Sequence, residues 1–470
     1  MRTIQNQAAE NLILRQKQYL ETLIERYNQR TKTSKQIAQT YRQFLADNKS
    51  FVNFNLTLKE VFYPIVAKSS LGSKIWDVDG NEYIDFIMGF GINLFGHNPQ
   101  FIKEALIAQL EQGIQIGPQA EFIGEVAKLI YEFTGMERVA FSNTGTEAVM
   151  TAIRLARTAT GRSKIALFSD SYHGHYDGTL AQVKMINGNL QTVPIAPGIL
   201  QNFVEDVLVL NYGNPQSLEL IKHHAQELAA VLVEPVQTRR LDLQPQVLLQ
   251  ELKQLTKESG IILIFDEMVT GFRIHPGGAQ AWFGVEADIA TYGKIVGGGM
   301  PIGIIAGKAN YMDGIDGGMW NYGDTSYPQG KTTFFAGTFC KHPLAIAAAK
   351  AVLQHLKTQG VTLQEKLNQK TLQFIETLNT YFKKEELPIQ MVNFGSVFGS
   401  AFSKSDEAAE DSQPSIVFDL LYYHLLDRGI MLRGQGGFLS TAHTDEDIRR
   451  VIWAVQDSVE EVRKAGFLPH

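Results

Sequence analysis

From about residue 100 to residue 300, short apolar runs alternate with stretches of helical periodicity. This alternation restricts the fold more than any other feature of the chain. The runs are "RVAFS" (138–142), "KIALFS" (164–169), "AAVLVEP" (229–235), "IILIFDE" (261–267) and "IGIIAG" (302–307), and helical spacing covers 101–112, 121–133 and 146–160. A strand that is apolar along its whole length, rather than at every second residue, is covered on both faces. Strands of that kind separated by helices predict an α/β architecture: a largely parallel sheet flanked by helices, with functional groups at the carboxyl ends of the strands.

The flanking segments read differently. Residues 8–46 are polar with apolar positions at helical spacing, which predicts two helices broken near 30–34: a peripheral arm, or a docking element for a partner domain. "SKIWDVDGNEYIDF" (73–86) predicts a hairpin around its Asp-Gly and Asn turn residues. From about 345 the chain reads as helical and then mixed, with an exposed loop at 402–415. The expected organisation is an arm over 1–48, the first part of a smaller α+β domain over 49–95, a large domain over 96–345 and the rest of the small domain over 346–470.

Composition excludes several function classes. A net charge of -6 does not suit a nucleic-acid surface. No apolar run approaches the roughly 18 residues of a bilayer span, and the N-terminus has no apolar signal core. The single cysteine, Cys340, rules out an internal disulfide and fits a reducing compartment. These features together predict a cytoplasmic protein.

The strand ends carry the chemistry. "SNTGTEA" (142–148) places Thr144, Gly145 and Thr146 at a helix start, where free N–H groups, the helix dipole and two hydroxyls suit a phosphate; an ordinary capped helix has the same pattern. "SYHGHYDG" (171–178) offers Tyr172 for stacking on a planar ring, while His173 and His175 lack the companion ligands a metal needs. "LVEPV" and "IFDEMVTGFR" end apolar strands in Glu234 and Asp266. Asp266 should be buried and so should want a cationic partner, either a ligand or a nearby arginine such as Arg273. Lys294 stands before the glycines of "GKIVGGGMPIG", and a buried lysine loses its proton readily and condenses with aldehydes. The aldehyde cofactor that needs a phosphate cup, a stacking aromatic, an acid at a ring nitrogen and a lysine is pyridoxal 5'-phosphate. All four occur here in order at successive strand ends. In this reading Lys294 and Asp266 are the catalytic residues, and Asp266 keeps the ring nitrogen protonated.

With "WDVDGNEYIDF", "GHNP", "SNTGTEA", "YHGH", "VEP", "DEMVTGFR", "GKIVGGGMPIG" and "GTFCKHPLA", the chain from about Ser73 onward resembles the class III aminotransferases of fold type I. Within them it is close to the glutamate-1-semialdehyde aminomutases through "YHGH", "DEMVTGFR" and "STAHTDEDI". The resemblance implies that Lys294 holds the cofactor and shuttles protons, and that Asp266 pairs with the ring nitrogen. It also implies that Tyr172 stacks, Thr144, Gly145 and Thr146 hold phosphate, and His173 and Glu234 lie at the cofactor. Gln237 or Arg239 would meet the ring hydroxyl, and Thr338 would reach the phosphate of the neighbouring subunit in a homodimer. The aminomutases use an arginine ahead of the hairpin and a glutamate near the C-terminus for their small substrate. Here no arginine lies between Arg42 and Arg138, and "RGQGGF" has Gln435 at the second place.

A subgroup is more similar, and the likeness includes "SKQIAQTYRQFLAD" in the arm: the aminotransferase domains of hybrid polyketide/non-ribosomal peptide synthetases. That resemblance implies amination of a 3-oxoacyl thioester on an acyl carrier protein, with glutamate or glutamine as donor. Arg240, Arg273 and Arg433 remain open as the cation for the donor carboxylate, and the aminomutase reaction is the alternative.

Overall fold

The computed structural model describes residues 2–48, 52, 54–401, 416–434 and 436–468. The expected loop at 402–415 and the residue Gln435 lie outside them.

Seven strands form the central sheet: β1 (Arg138–Ser142), β2 (Lys164–Phe168), β3 (Val207–Leu210), β4 (Leu228–Val233), β5 (Ile262–Asp266), β6 (Ile289–Gly293) and β7 (Gly303–Gly307). Their order is β1-β7-β6-β5-β4-β2-β3. Neighbours run parallel except at β7, which is antiparallel to both β6 and β1. Every residue of β4, β5, β6 and β7 is buried, as strands covered by helices on both faces require. Two strands were absent from the sequence reading. β3 is a four-residue edge strand, and β6, "IATYG", breaks its apolar run with Thr291 and Tyr292. Both polar groups of β6 are satisfied internally: the Thr291 hydroxyl reaches Asp266 Oδ1 at 3.5 Å, and the Tyr292 hydroxyl accepts from Gln280 at 2.8 Å.

Three smaller sheets surround this one. Lys74–Asp77 and Glu82–Asp85 form the expected hairpin, extended by Ala67–Leu71 on one side and by the parallel strand Ile430–Met431 on the other. Met391–Phe394, Val397–Ser400 and Gly437–Phe438 form a second sheet. Ala181–Ile186 and Asn189–Pro194 form an unforeseen hairpin whose turn, Asn187-Gly188, has positive φ at both residues, the type I′ signature. The N-terminal helices span Arg2–Arg30 and Lys32–Tyr41. Leu23 and Tyr27 of the first are buried against Leu58, Val61, Tyr83, Leu420, Tyr423 and Val462, so the arm packs onto the later part of the chain. No helix among the described residues is long and apolar enough to cross a membrane.

One side chain ties distant segments together. Arg273 is 0% exposed and donates to Gly91 O (2.5 Å), Ser396 Oγ (2.9 Å) and Leu439 O (3.3 Å), with its guanidinium 5.2 Å from the Phe438 ring. Burial pulls its pKa down to about 9. It bridges the turn Met88–Gly91, whose four residues all have positive φ, to the turn at Ser396 and to Leu439, both bordering the three-stranded sheet. Arg273→Leu would strand two carbonyls and a hydroxyl in the interior. We expect a loss of about 3 kcal/mol in chemical denaturation, from unmet buried acceptors rather than lost volume; a loss below about 1 kcal/mol would remove the strut role.

Candidate active site

Five strand ends converge on one crevice. After β1, Thr144 caps the helix Gly145–Thr160, its hydroxyl accepting from Glu147 N at 3.2 Å, while Glu147 Oε2 accepts from Asn143 N at 2.7 Å. The N–H groups of Gly145 and Thr146 have no acceptor within the helix and point outward from its start. After β2, the loop 169–175 folds against that helix start. His175 N donates to Thr146 Oγ1 at 3.3 Å, and a Cβ on Gly174 would fall 2.3 Å from the same hydroxyl. After β5, Met268 wedges between two glycines: a Cβ on Gly145 or on Gly293 would lie 2.9 Å from its sulfur. Gly293 ends β6, and Lys294 follows with φ 46°, a conformation that a non-glycine residue adopts only at a cost. Bulk at any of these glycines would push the strand ends apart.

Gly303 makes the sharpest such test. It pairs with Ser142, and a Cβ there would fall 2.0 Å from Thr144 O and 2.5 Å from Ser142 Oγ. Gly303→Ala must therefore displace the backbone at the start of the helix. We expect at least a tenfold weaker affinity for inorganic phosphate or for the phosphorylated cofactor, by about 1.4 kcal/mol or more; equal affinity in a calorimetric titration would show that Thr144 and its neighbours hold no phosphate.

The acids have distinct surroundings. Asp266 is 4% exposed, and its Oδ2 accepts from His173 Nδ1 at 2.7 Å while its Oδ1 accepts from Met268 N at 3.1 Å. The protein partner of Asp266 is therefore His173 and not Arg273, which is committed elsewhere. The pairing joins strand ends 93 residues apart, and the sequence carries no signal for it. His173 Nε2 is buried with no protein partner. Glu234, after β4, accepts from Tyr172 N at 3.1 Å. Burial raises its pKa to about 7, helped by the Asp266 carboxylate and opposed by His173, Tyr172 N–H and Lys294. Glu267, the other acid of the "DE" pair, turns away from the crevice and accepts from Ala279 N and Gln280 N at 2.9 Å, fastening the helix that follows. Burial lowers the Lys294 pKa; Asp266 and Glu234 oppose this, and Arg433 and Arg273 add to it.

The remaining expected residues separate. Tyr172 is 56% exposed, with a face open to a ligand. Gln237 is buried and donates to Ser169 O and Ser171 Oγ at 2.6 and 2.7 Å. Arg240 pairs with Asp242 at 3.4 Å. Arg433 lies 5.7 Å from the ring of Phe90, a residue of the positive-φ turn that is 48% exposed. Thr338 is exposed on a segment whose Gly337 and Cys340 lie against Asn143. Among the described residues no group of three or more His, Cys, Asp or Glu could hold a metal ion.

The donor set fits pyridoxal 5'-phosphate. A half-buried lysine, a buried carboxylate, an exposed tyrosine and a helix start with spare N–H groups lie at strand ends linked by the contacts of Asp266 with His173, Glu234 with Tyr172, and Thr146 with His175. The orphaned His173 Nε2 marks a polar position in that crevice which the protein itself leaves unfilled.

Comparison with known proteins agrees. The Aminotransferase class-III profile matches residues 57–445. The glutamate-1-semialdehyde 2,1-aminomutase of Chloroflexus aggregans is 33% identical over 412 residues, covering 85% of this chain and 91% of that protein. Among solved structures, an omega-transaminase from Sphaerobacter thermophilus superposes with a TM-score of 0.81 at 28% identity, covering 92% of this chain and 98% of the other. The beta-phenylalanine aminotransferase of Variovorax paradoxus gives 0.79 at 28%, covering 96% and 98%. With the fold-type-I sheet, the site and these relatives in agreement, the chain belongs to the class-III aminotransferases, which depend on pyridoxal phosphate.

Proposed function

We propose that this aminotransferase transfers nitrogen from an amino acid donor to the 3-oxo group of an acyl thioester held on an acyl carrier protein. The observation that carries this reading is the acceptor side of the crevice. No arginine occurs between Arg42 and Arg138 to clamp a small acid there, and an aromatic side chain, Phe90, stands at that side instead, beside Arg433. An aromatic side chain at this place suits an acyl chain, and the arginine that the aminomutases set ahead of the hairpin has no counterpart here.

Pyridoxal phosphate, when bound, supplies a sink for the electron pair left at the substrate carbon and a carrier for the nitrogen. The chain does the rest. Thr144, Gly145 and Thr146 hold the phosphate at the helix start, and Tyr172 covers the ring. Asp266 holds a proton at the ring nitrogen, and His173 orients Asp266 through the 2.7 Å bond. Lys294 Nζ removes the donor Cα proton and later delivers one to C3 of the acceptor. Of the open donor cations, Arg273 is consumed by the interior and Arg240 by Asp242, so Arg433 is assigned to the donor carboxylate. Overall, amino acid and 3-oxoacyl thioester become 2-oxo acid and 3-aminoacyl thioester. The active unit is a homodimer in which Thr338 reaches the partner's phosphate. The exposure of Thr338, with Phe334 and Phe339 on the same segment, supports this.

A second reading, the aminomutase, is favoured by the named relatives at 33–36% identity. Mass spectrometry of a 3-oxoacyl carrier protein incubated with the holoenzyme and nitrogen-15 glutamate separates the two. Label on the acyl chain is the expected result. No label, together with isomerisation of glutamate-1-semialdehyde, would establish the mutase.

A further inference from the structure

A cavity of about 430 Å³ opens beside Tyr172 and His173, where β2 and β3 end. Sites for small organic ligands measure about 300–1,000 Å³. Part of its lining is the loop 169–174, which carries Tyr172 and His173; another part is the hairpin Ala181–Pro194 and the residues that flank it. The hairpin is tied down: Thr192 Oγ1 donates to Val207 O of β3 at 2.9 Å, and Gln201 Nε2 donates to Thr192 O at 3.0 Å.

The lining is amphipathic. Leu180, Val183, Ile195 and Val209 are apolar, whereas Ser169, Gln182 and Asn211 bring hydrogen-bonding side chains. Apart from His173, which is committed to Asp266, the charged members are Asp170 and Arg239, one of each sign, so the cavity has no net charge with which to hold a small ion. Gln182 Nε2 donates to Pro194 O at 3.0 Å, and Asn211 Oδ1 has only a 3.5 Å contact from Ser169 Oγ. Gln182 Oε1 and Asn211 Nδ2 have no partner among the described residues. One spare acceptor and one spare donor beside apolar side chains suit a neutral ligand that carries amides.

The acceptor of the proposed reaction has two chains on its C3. One is the acyl tail, which the aromatic side of the crevice at Phe90 suits. The other runs through C2 to the thioester and on to the carrier's pantetheine arm, a chain of two amides set among methylene and methyl groups. Phe90 does not line the cavity beside Tyr172, which leaves that opening to the second chain. We infer that this cavity receives the pantetheine arm, with Gln182 and Asn211 on its amides and Val183 and Ile195 on its methylene and methyl groups. The inference rests on the carrier-bound acceptor proposed above and gives its arm a place.

The test uses the holoenzyme and three 3-oxohexanoyl thioesters with the same reacting group: on pantetheine, on N-acetylcysteamine, which keeps one amide, and on ethanethiol, which has none. With nitrogen-15 glutamate as donor, kcat/KM for label transfer should be at least about tenfold higher for the pantetheine thioester than for the ethyl thioester, with N-acetylcysteamine between them. Ile195→Trp, which adds bulk at the lining, should bring that ratio to within about threefold. Asn211→Leu should lower it about threefold or more. Ile195 is 49% exposed and Asn211 is exposed, so both replacements leave the interior intact. A wild-type ratio near one, or an unchanged ratio in both variants, would overturn the arm site. Pantetheine alone, titrated calorimetrically, should bind the holoenzyme and lose about tenfold or more in affinity in Ile195→Trp; equal affinity in the two proteins would also overturn it. If the 3-oxo acceptor is wrong, no thioester gains label while pantetheine still binds at the cavity; if the arm site is wrong, all three thioesters gain label at equal kcat/KM.

Discussion

Lys294→Ala all but abolishes amino transfer, with turnover reduced about 10²- to 10⁴-fold, the range associated with losing a positioned acid–base group. Three features of the residue lead to this expectation. It lies at the end of β6, where burial favours the neutral amine that can accept a proton, while Asp266 and Glu234 keep that amine from losing its affinity for one. Its backbone has φ 46°, a strained conformation just after Gly293, so the fold bears a cost to present this side chain here. The side chain is not a packing element, since Ile295 and Val296 beside it fill the core. Alanine should thus leave the denaturation midpoint unchanged while removing activity. Single-turnover kinetics with donor alone measures the loss, and an added small primary amine should recover part of the rate. Turnover above about 1% of wild type without added amine would reassign the proton transfer.

Asp266→Asn lowers the limiting rate about 10²- to 10³-fold, the effect of removing one preorganised electrostatic contact from a water-poor site. Asparagine keeps the shape of the side chain, and its single carbonyl oxygen can still accept from His173 Nδ1, at the loss of the bond from Met268 N. The substitution therefore removes the charge and spares the packing. The loss should fall on the limiting rate and not on donor affinity, because Asp266 is buried at 4% exposure and its partner is His173. A change smaller than about threefold would mean that Asp266 only satisfies His173 and holds no proton for the ring.

The legible part of this molecule was the part written in local apolar patterns. β5 announces itself because five apolar residues precede one acid, and Asp266 inherits its position from that run. The helix at Gly145 was legible from its cap, and Lys294 from its glycines. β6 was not, because the hydroxyls of Thr291 and Tyr292 look solvent-facing until Asp266 is seen to accept from the first and Gln280 to donate to the second. Contacts made to main-chain carbonyls were also hidden. Arg273 stands seven residues after Asp266 and invites an ion-pair reading, yet its acceptors lie 123, 166 and 182 residues away and carry no side-chain signature except at Ser396. The role of Glu267 was similarly out of reach: it adjoins Asp266 in the chain, yet it accepts from the start of the helix at Gly278 while Asp266 meets His173.

The strand Glu82–Asp85 has a consequence for how the chain is made. Its parallel neighbour is Ile430–Met431, and Asp85 O receives His443 Nε2 from 358 residues downstream. At a ribosomal pace of about 5–20 residues per second, the early hairpin therefore waits roughly 20–70 s for its last strand. Throughout that interval Tyr83, Ile84 and Phe86, all 0% exposed in the finished protein, stand beside an open sheet edge. The central sheet, complete once Gly307 has emerged, can form during this wait. Nascent-chain quality control thus meets a finished catalytic platform carrying an adhesive, unfinished lobe.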